Sequence, residues 1–85
     1  GPDETDNRCK MVAELNLEPG QCTGLHAHTD DVELFYVLEG EVAYIEDGDE
    51  TTILPGDCTA TGRGSKHQII NRSDKPAKVL AIVIK

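Results

Sequence analysis

Tryptophan is absent from this 85-residue chain, and other aromatic side chains are few: one Phe and two Tyr. A core must therefore be built mainly from aliphatic residues. Long hydrophobic runs are also missing. The longest, Val79 to Ile84, falls far short of the roughly 20 apolar residues a spanning helix needs, and nothing resembles a signal peptide. No membrane partner is expected. Cysteine is scarce: Cys9, Cys22 and Cys58 make an odd set with no Cys-x-x-Cys spacing. That argues against a secreted disulfide framework and for inert thiols in a reducing compartment, so a cytoplasmic location is expected. Basic residues are rare over the first 62 positions, two against fifteen acids, whereas the last 23 hold six bases and one acid. The net charge of −8 repels phosphate backbones and argues against nucleic-acid binding.

What is present is a period of two. Met11, Ala13, Leu15 and Leu17 alternate with Val12, Glu14, Asn16 and Glu18, the pattern of a half-buried strand stopped by the turn dipeptide Pro19-Gly20. Further strands are expected over residues 23–28, 33–38, 41–46, 50–54, 58–61, 67–71 and 77–84, with Asp47-Gly48 as a hairpin signal. Residues 34–38 are apolar on both faces, which predicts a strand covered on both sides, by another sheet or another subunit. No segment carries a helical stripe. About eight short strands in a chain of this length predict an all-β barrel or sandwich. Residues 1–9 read as a flexible acidic lead-in, with Gly1-Pro2 a possible protease scar, and residues 10–85 as a single domain. Such a small domain buries only about 60–65% of its unfolded surface, so a metal or a partner subunit would add useful stability.

Two of the three histidines, His26 and His28, stand two apart. On a strand they share a face with Cα atoms roughly 6.5–7 Å apart, a spacing that suits two imidazoles converging on one ion. Glu33 shares its face with Phe35 and Val37. If those point inward, so does the carboxylate, and a bound cation would offset the cost of burying it. His67 alternates with Ile69 and Asn71 and can face inward from a distant strand. One inward histidine is ordinarily a hydrogen-bonded core residue, and that reading stays open. Three histidines and a carboxylate in this pattern favour a metal site instead. The set suits Zn, Ni, Fe, Mn, Co or Cu rather than Ca or Mg.

The same residues carry a resemblance. Gly20, His26, His28, Glu33 and Gly40 fill every slot of G-x5-H-x-H-x4-E-x6-G, which resembles the first motif of the cupin superfamily. Gly56, Gly64, His67 and Asn71 fill the second, G-x5-P-x-G-x2-H-x3-N, with Gly62 standing where the motif has proline. The resemblance covers roughly residues 10 to 84. It implies a jelly-roll barrel (a small double-stranded β-helix), usually paired into a homodimer. It also implies that His26, His28, Glu33 and His67 bind one divalent transition metal ion per chain. Loss of the proline removes a φ restraint at the pocket rim.

Two functions are compatible with that resemblance. One is a metal-dependent enzyme of dioxygenase, decarboxylase or isomerase type, acting on a small oxygen-rich or anionic organic molecule. The other is a non-catalytic module that binds or senses a small molecule, with a structural metal. Arg63 and Lys66 are expected near the pocket mouth, where they could hold a carboxylate or phosphate, unless they are simply solvated loop charges. No general base stands out beyond the ligands. Tyr36, Tyr44 and Thr61 are candidates for a pocket acid or hydrogen-bond donor, unless they simply pack; Tyr36 has the opposite parity from Glu33, which favours Tyr44 as the catalytic residue. Glu33 itself argues against the thiol-dioxygenase cupins, which resemble three-histidine sites without this carboxylate.

Overall fold

The computed structural model describes residues 9–24, 26–27, 30–62 and 64–85, and for residues 9, 10, 26 and 27 the backbone alone. Alternation of apolar and polar residues yields eight strands: β1 (Cys9–Leu17), β2 (His26–Ala27), β3 (Val32–Glu39), β4 (Val42–Glu46), β5 (Asp49–Ile53), β6 (Cys58–Gly62), β7 (Lys66–Ile70) and β8 (Ala77–Ile84). They form two four-stranded antiparallel sheets, ordered β1-β8-β3-β6 and β2-β7-β4-β5. The chain is all-β among the described residues, as its periodicity requires. Thr23 and Gly24, expected within the strand at 23–28, lie before β2. Cys22 instead makes an isolated bridge to Ile70, and Leu25, His28 and Thr29 lie outside the described residues.

The inner faces of the two sheets make the core. Phe35 and Val37 of β3 pack with Val79 and Ala81 of β8 and with Val42, Tyr44, Ile53 and Ile69 of the facing sheet. Phe35 sits directly opposite Ala81 in the β3–β8 ladder, so the small side chain leaves room for the ring. The two-residue turn between β4 and β5 has positive φ at both positions, 50° at Asp47 and 89° at Gly48. Positive φ at both centres matches the right-handed twist of the flanking strands.

On the outer face of the β1-β8-β3-β6 sheet, no other sheet provides the cover expected for residues 34–38 among the described residues. Nothing among the described residues covers it. Val12, Tyr36 and Leu38 are exposed, and Leu34, Leu80 and Ile82 are partly so. Val12, Ile82, Leu34 and Ala60 form one row across the four strands. Cys58 belongs to this exposed side.

Candidate metal centre

Glu33 brings a carboxylate into the interior. The β3 ladders place it opposite Val83 of β8 and Thr61 of β6, and it is only 5% exposed. Its Oε1 lies 2.8 Å from Nε2 of His67, which is fully buried. The two residues come from different sheets, so the contact spans the barrel. His67 is fixed by its surroundings. Phe35 stacks on the imidazole at a centroid distance of 5.0 Å, and Tyr44 meets it edge-on at 6.2 Å. The register of β7 then brings in the first motif, since His26 is paired directly with His67 across the β2–β7 ladder.

Parity along the strands thus places Glu33 and His67 as expected, Tyr44 inward and Tyr36 outward. His28 and Arg63 lie outside the described residues, as does the side chain of His26. Among the described residues no group of three or more His, Cys, Asp or Glu gathers around one point. Lys66 is exposed at the start of β7, where its amide donates to the Asp47 carboxylate and its carbonyl accepts from the Asp47 amide.

The donor chemistry that is described fits a transition metal. His67 Nε2 and Glu33 Oε1 come within 2.8 Å of each other inside the barrel, so an imidazole nitrogen and a carboxylate oxygen, both donor types that such an ion accepts, would be available to hold it at one place.

A second polar layer lies beside this pair. The Tyr44 hydroxyl is hydrogen-bonded to the Thr61 hydroxyl inside the barrel. Burial pushes the Tyr44 pKa above its ordinary value. The Thr61 bond opposes the shift, and the nearby Glu46 charge adds to it. Glu46 was not singled out in the sequence, yet it stands directly opposite His67 in the β4–β7 ladder. Its parity with Tyr44 was the available signal, but the register between β4 and β7 was not. Asn71, the last residue of the second motif, is a loop clamp. Its Nδ2 donates to the carbonyls of Leu17 and Lys75, and its Oδ1 accepts from the amide and hydroxyl of Ser73. At Gly62 a Cβ would stand 3.0 Å from both the Asp31 carbonyl oxygen and Val32 Cγ2. The space a proline would need there is already filled by the neighbouring strand.

An open cavity of about 400 Å³ runs between the sheets on the β1 side, floored by Phe35 and Ala81 and reaching Glu33.

The profile of the cupin domain matches residues 13–83. The chain belongs to the cupin family. Among curated proteins this cupin is 33% identical to the oxalate-binding protein of Thermotoga maritima, over 92% of the chain and 64% of that protein. A solved structure from T. maritima, described as a predicted oxalate decarboxylase, superposes with a TM-score of 0.90 at 31% identity, covering 99% of the cupin and 73% of that chain. A sugar phosphate isomerase of the cupin superfamily from Silicibacter pomeroyi superposes with a TM-score of 0.81 at 36% identity, over 87% of the cupin and 49% of that chain. The cupin thus spans under two thirds of the length of the curated relative.

Proposed function

We propose that His26, His28, Glu33 and His67 hold one divalent transition metal ion inside the barrel, and that the centre serves a metal-dependent reaction on a small oxygen-bearing organic molecule. The observation that carries this reading is the buried Glu33–His67 contact between the two sheets. A carboxylate this deep is costly without a cation or a full set of donors. Such an ion, when bound, supplies Lewis acidity at a substrate oxygen. The rest falls to the chain. Phe35 and Tyr44 hold the His67 ring in place. Tyr44 keeps its proton at neutral pH and can donate it from the inner wall, with Thr61 orienting the hydroxyl. Lys66, exposed at the start of β7, and Arg63 are proposed as the cations that would hold an anionic substrate.

A second reading, a binding module without turnover, is favoured by the name of the oxalate-binding relative. The partner of either would be a small molecule. A second copy of the chain is proposed as well, supported by the bare apolar face of the β1-β8-β3-β6 sheet, since contiguous exposed patches of this kind mark interaction surfaces. No helix of the described residues is long and apolar enough to cross a membrane.

The test is elemental analysis of protein purified without added metal. About one equivalent of Fe, Mn, Ni, Zn, Co or Cu per chain is expected, with most of it lost in Glu33→Gln and His67→Ala. A folded, metal-free protein whose melting ignores chelator would sink the reading. With metal present, turnover of oxalate and of sugar phosphates separates enzyme from binding module.

A further inference from the structure

One row of residues crosses the β2-β7-β4-β5 sheet at His67. His26 stands opposite His67, His67 opposite Glu46, and Glu46 opposite Asp49. Residues directly opposite on neighbouring strands share a face, so Glu46 lies on the inner face beside His67. The rows that follow along β4 are different. Tyr44 lies between Ile69 and Thr51, and Val42 lies opposite Ile53. Exposure falls along the first row, from Asp49, which is exposed, through Glu46, half-buried, to His67, fully buried.

Glu46 has no structural task that the fold explains. Alternation on β4 gives Val42 and Tyr44 to the core, and an apolar residue at position 46 would extend it. Among the described residues no hydrogen bond or ion pair engages the Glu46 carboxylate. Its charge is felt at the Tyr44 hydroxyl, and the Tyr44 ring meets His67 edge-on at 6.2 Å. The neighbouring charges are otherwise occupied. Glu33 is engaged by His67, and Glu50 by Arg72. The Asp47 carboxylate accepts from the Lys66 amide. Lys66 itself is exposed and has the opposite parity from His67, so its side chain leaves the other face of β7. A half-buried carboxylate without donors is costly, and a cation bound nearby offsets that cost. Adjacent strands are about 4.8 Å apart, well inside the screening length of about 8 Å at physiological salt. A charge at Glu46 therefore acts on whatever His67 holds.

We infer that Glu46 is a positioning residue of the candidate metal centre: a second carboxylate, not a ligand, whose charge strengthens the hold of the centre on a divalent cation. The inference rests on the reading of His26, His28, Glu33 and His67 as the ligands.

The probe is Co²⁺, titrated into metal-free protein and followed by its visible absorption and by calorimetry. Glu46→Gln and Asp49→Asn remove the same charge, but Asp49 is exposed and one strand farther from His67. Affinity for Co²⁺ is expected to fall about tenfold or more in Glu46→Gln and by less than about threefold in Asp49→Asn. Glu46→Asp should recover most of the loss. The absorption spectrum at saturation should be the same in all four proteins. Metal-free Glu46→Gln should melt no lower than the metal-free wild type, which a merely structural role would not allow. Unchanged affinity in Glu46→Gln would overturn the inference, and so would equal losses in Glu46→Gln and Asp49→Asn, which reduce the effect to net charge. An altered spectrum in Glu46→Gln would make Glu46 a ligand and overturn it too, as would a lower melting point of that variant without metal or no recovery in Glu46→Asp. A wild type that takes up no Co²⁺ would remove the metal centre and the inference together. Uptake by the wild type that Glu46→Gln leaves unmoved would remove the inference alone.

Discussion

At the scale of single residues, Tyr44 gives a pH signature. Burial is the main reason its pKa is raised above 10.0, helped by the Glu46 charge and opposed by the Thr61 bond. A group whose folded pKa is raised favours folding while it is protonated in both states. That contribution is complete below the unfolded value and is lost as pH climbs through the folded one. Stability of the wild type should therefore fall more steeply above pH 10 than that of Tyr44→Phe, read by urea denaturation at a series of alkaline pH values. Parallel slopes would show that Tyr44 is not the group concerned. The inward placement of Tyr44, Glu33 and His67 was legible in the sequence, because alternation on a strand fixes which residues share a face. Glu46 was not. Its position opposite His67 depends on how two strands some twenty residues apart slide into register, and nothing local in either strand sets that.

At the scale of elements, the connection between β7 and β8 hangs on one side chain. Asn71 is fully buried and satisfies two carbonyls and both donors of Ser73. Its backbone also bonds Gly20 and Gln21, which ties the turn after β1 to the end of β7. A buried hydrogen bond adds about 0.5–1.5 kcal/mol net, and leaving its partner unsatisfied costs more. Asn71→Ala should thus lose about 2–5 kcal/mol in chemical denaturation. Asn71→Asp, which sets a buried carboxylate oxygen against the Leu17 and Lys75 carbonyls, should lose at least as much at neutral pH. Equal stability of Asn71→Ala and wild type would mean that water replaces the whole network. Motif spacing located Asn71 but said nothing of this role, since the partners come from residues 17, 73 and 75. The strands themselves were legible to within a residue or two, apart from β2. There Thr23 and Gly24, expected as strand, lie outside it, and the segment bonds through single contacts such as Cys22 with Ile70.

At the scale of the molecule, the two outer faces differ in degree, although Ile45 and Ile70 also face outward from the β2-β7-β4-β5 sheet. The outer side of the β2-β7-β4-β5 sheet includes Gln68, Glu50 and Thr52, and Arg72 pairs with Glu50 through both its Nε and an Nη. The other sheet turns Val12, Leu34, Tyr36, Leu80 and Ile82 outward; its marginal charges Glu14 and Lys78 lie 4.0 Å apart. The sequence showed that residues 34–38 are apolar on both sides. It could not show that the described residues leave one side bare, because that depends on which strand ends up above it. If two copies pair through this face, Val12→Lys with Ile82→Lys should shift the protein from dimer to monomer in sedimentation at micromolar concentration, with its circular dichroism preserved. A wild type that is monomeric under those conditions would remove the pairing. The order of strands has one more effect. β8 lies between β1 and β3, although it follows both in sequence. The sheet that carries Glu33 therefore forms only when distant segments of chain meet, and pairings of such sequence separation are slow to form because loop closure must precede them.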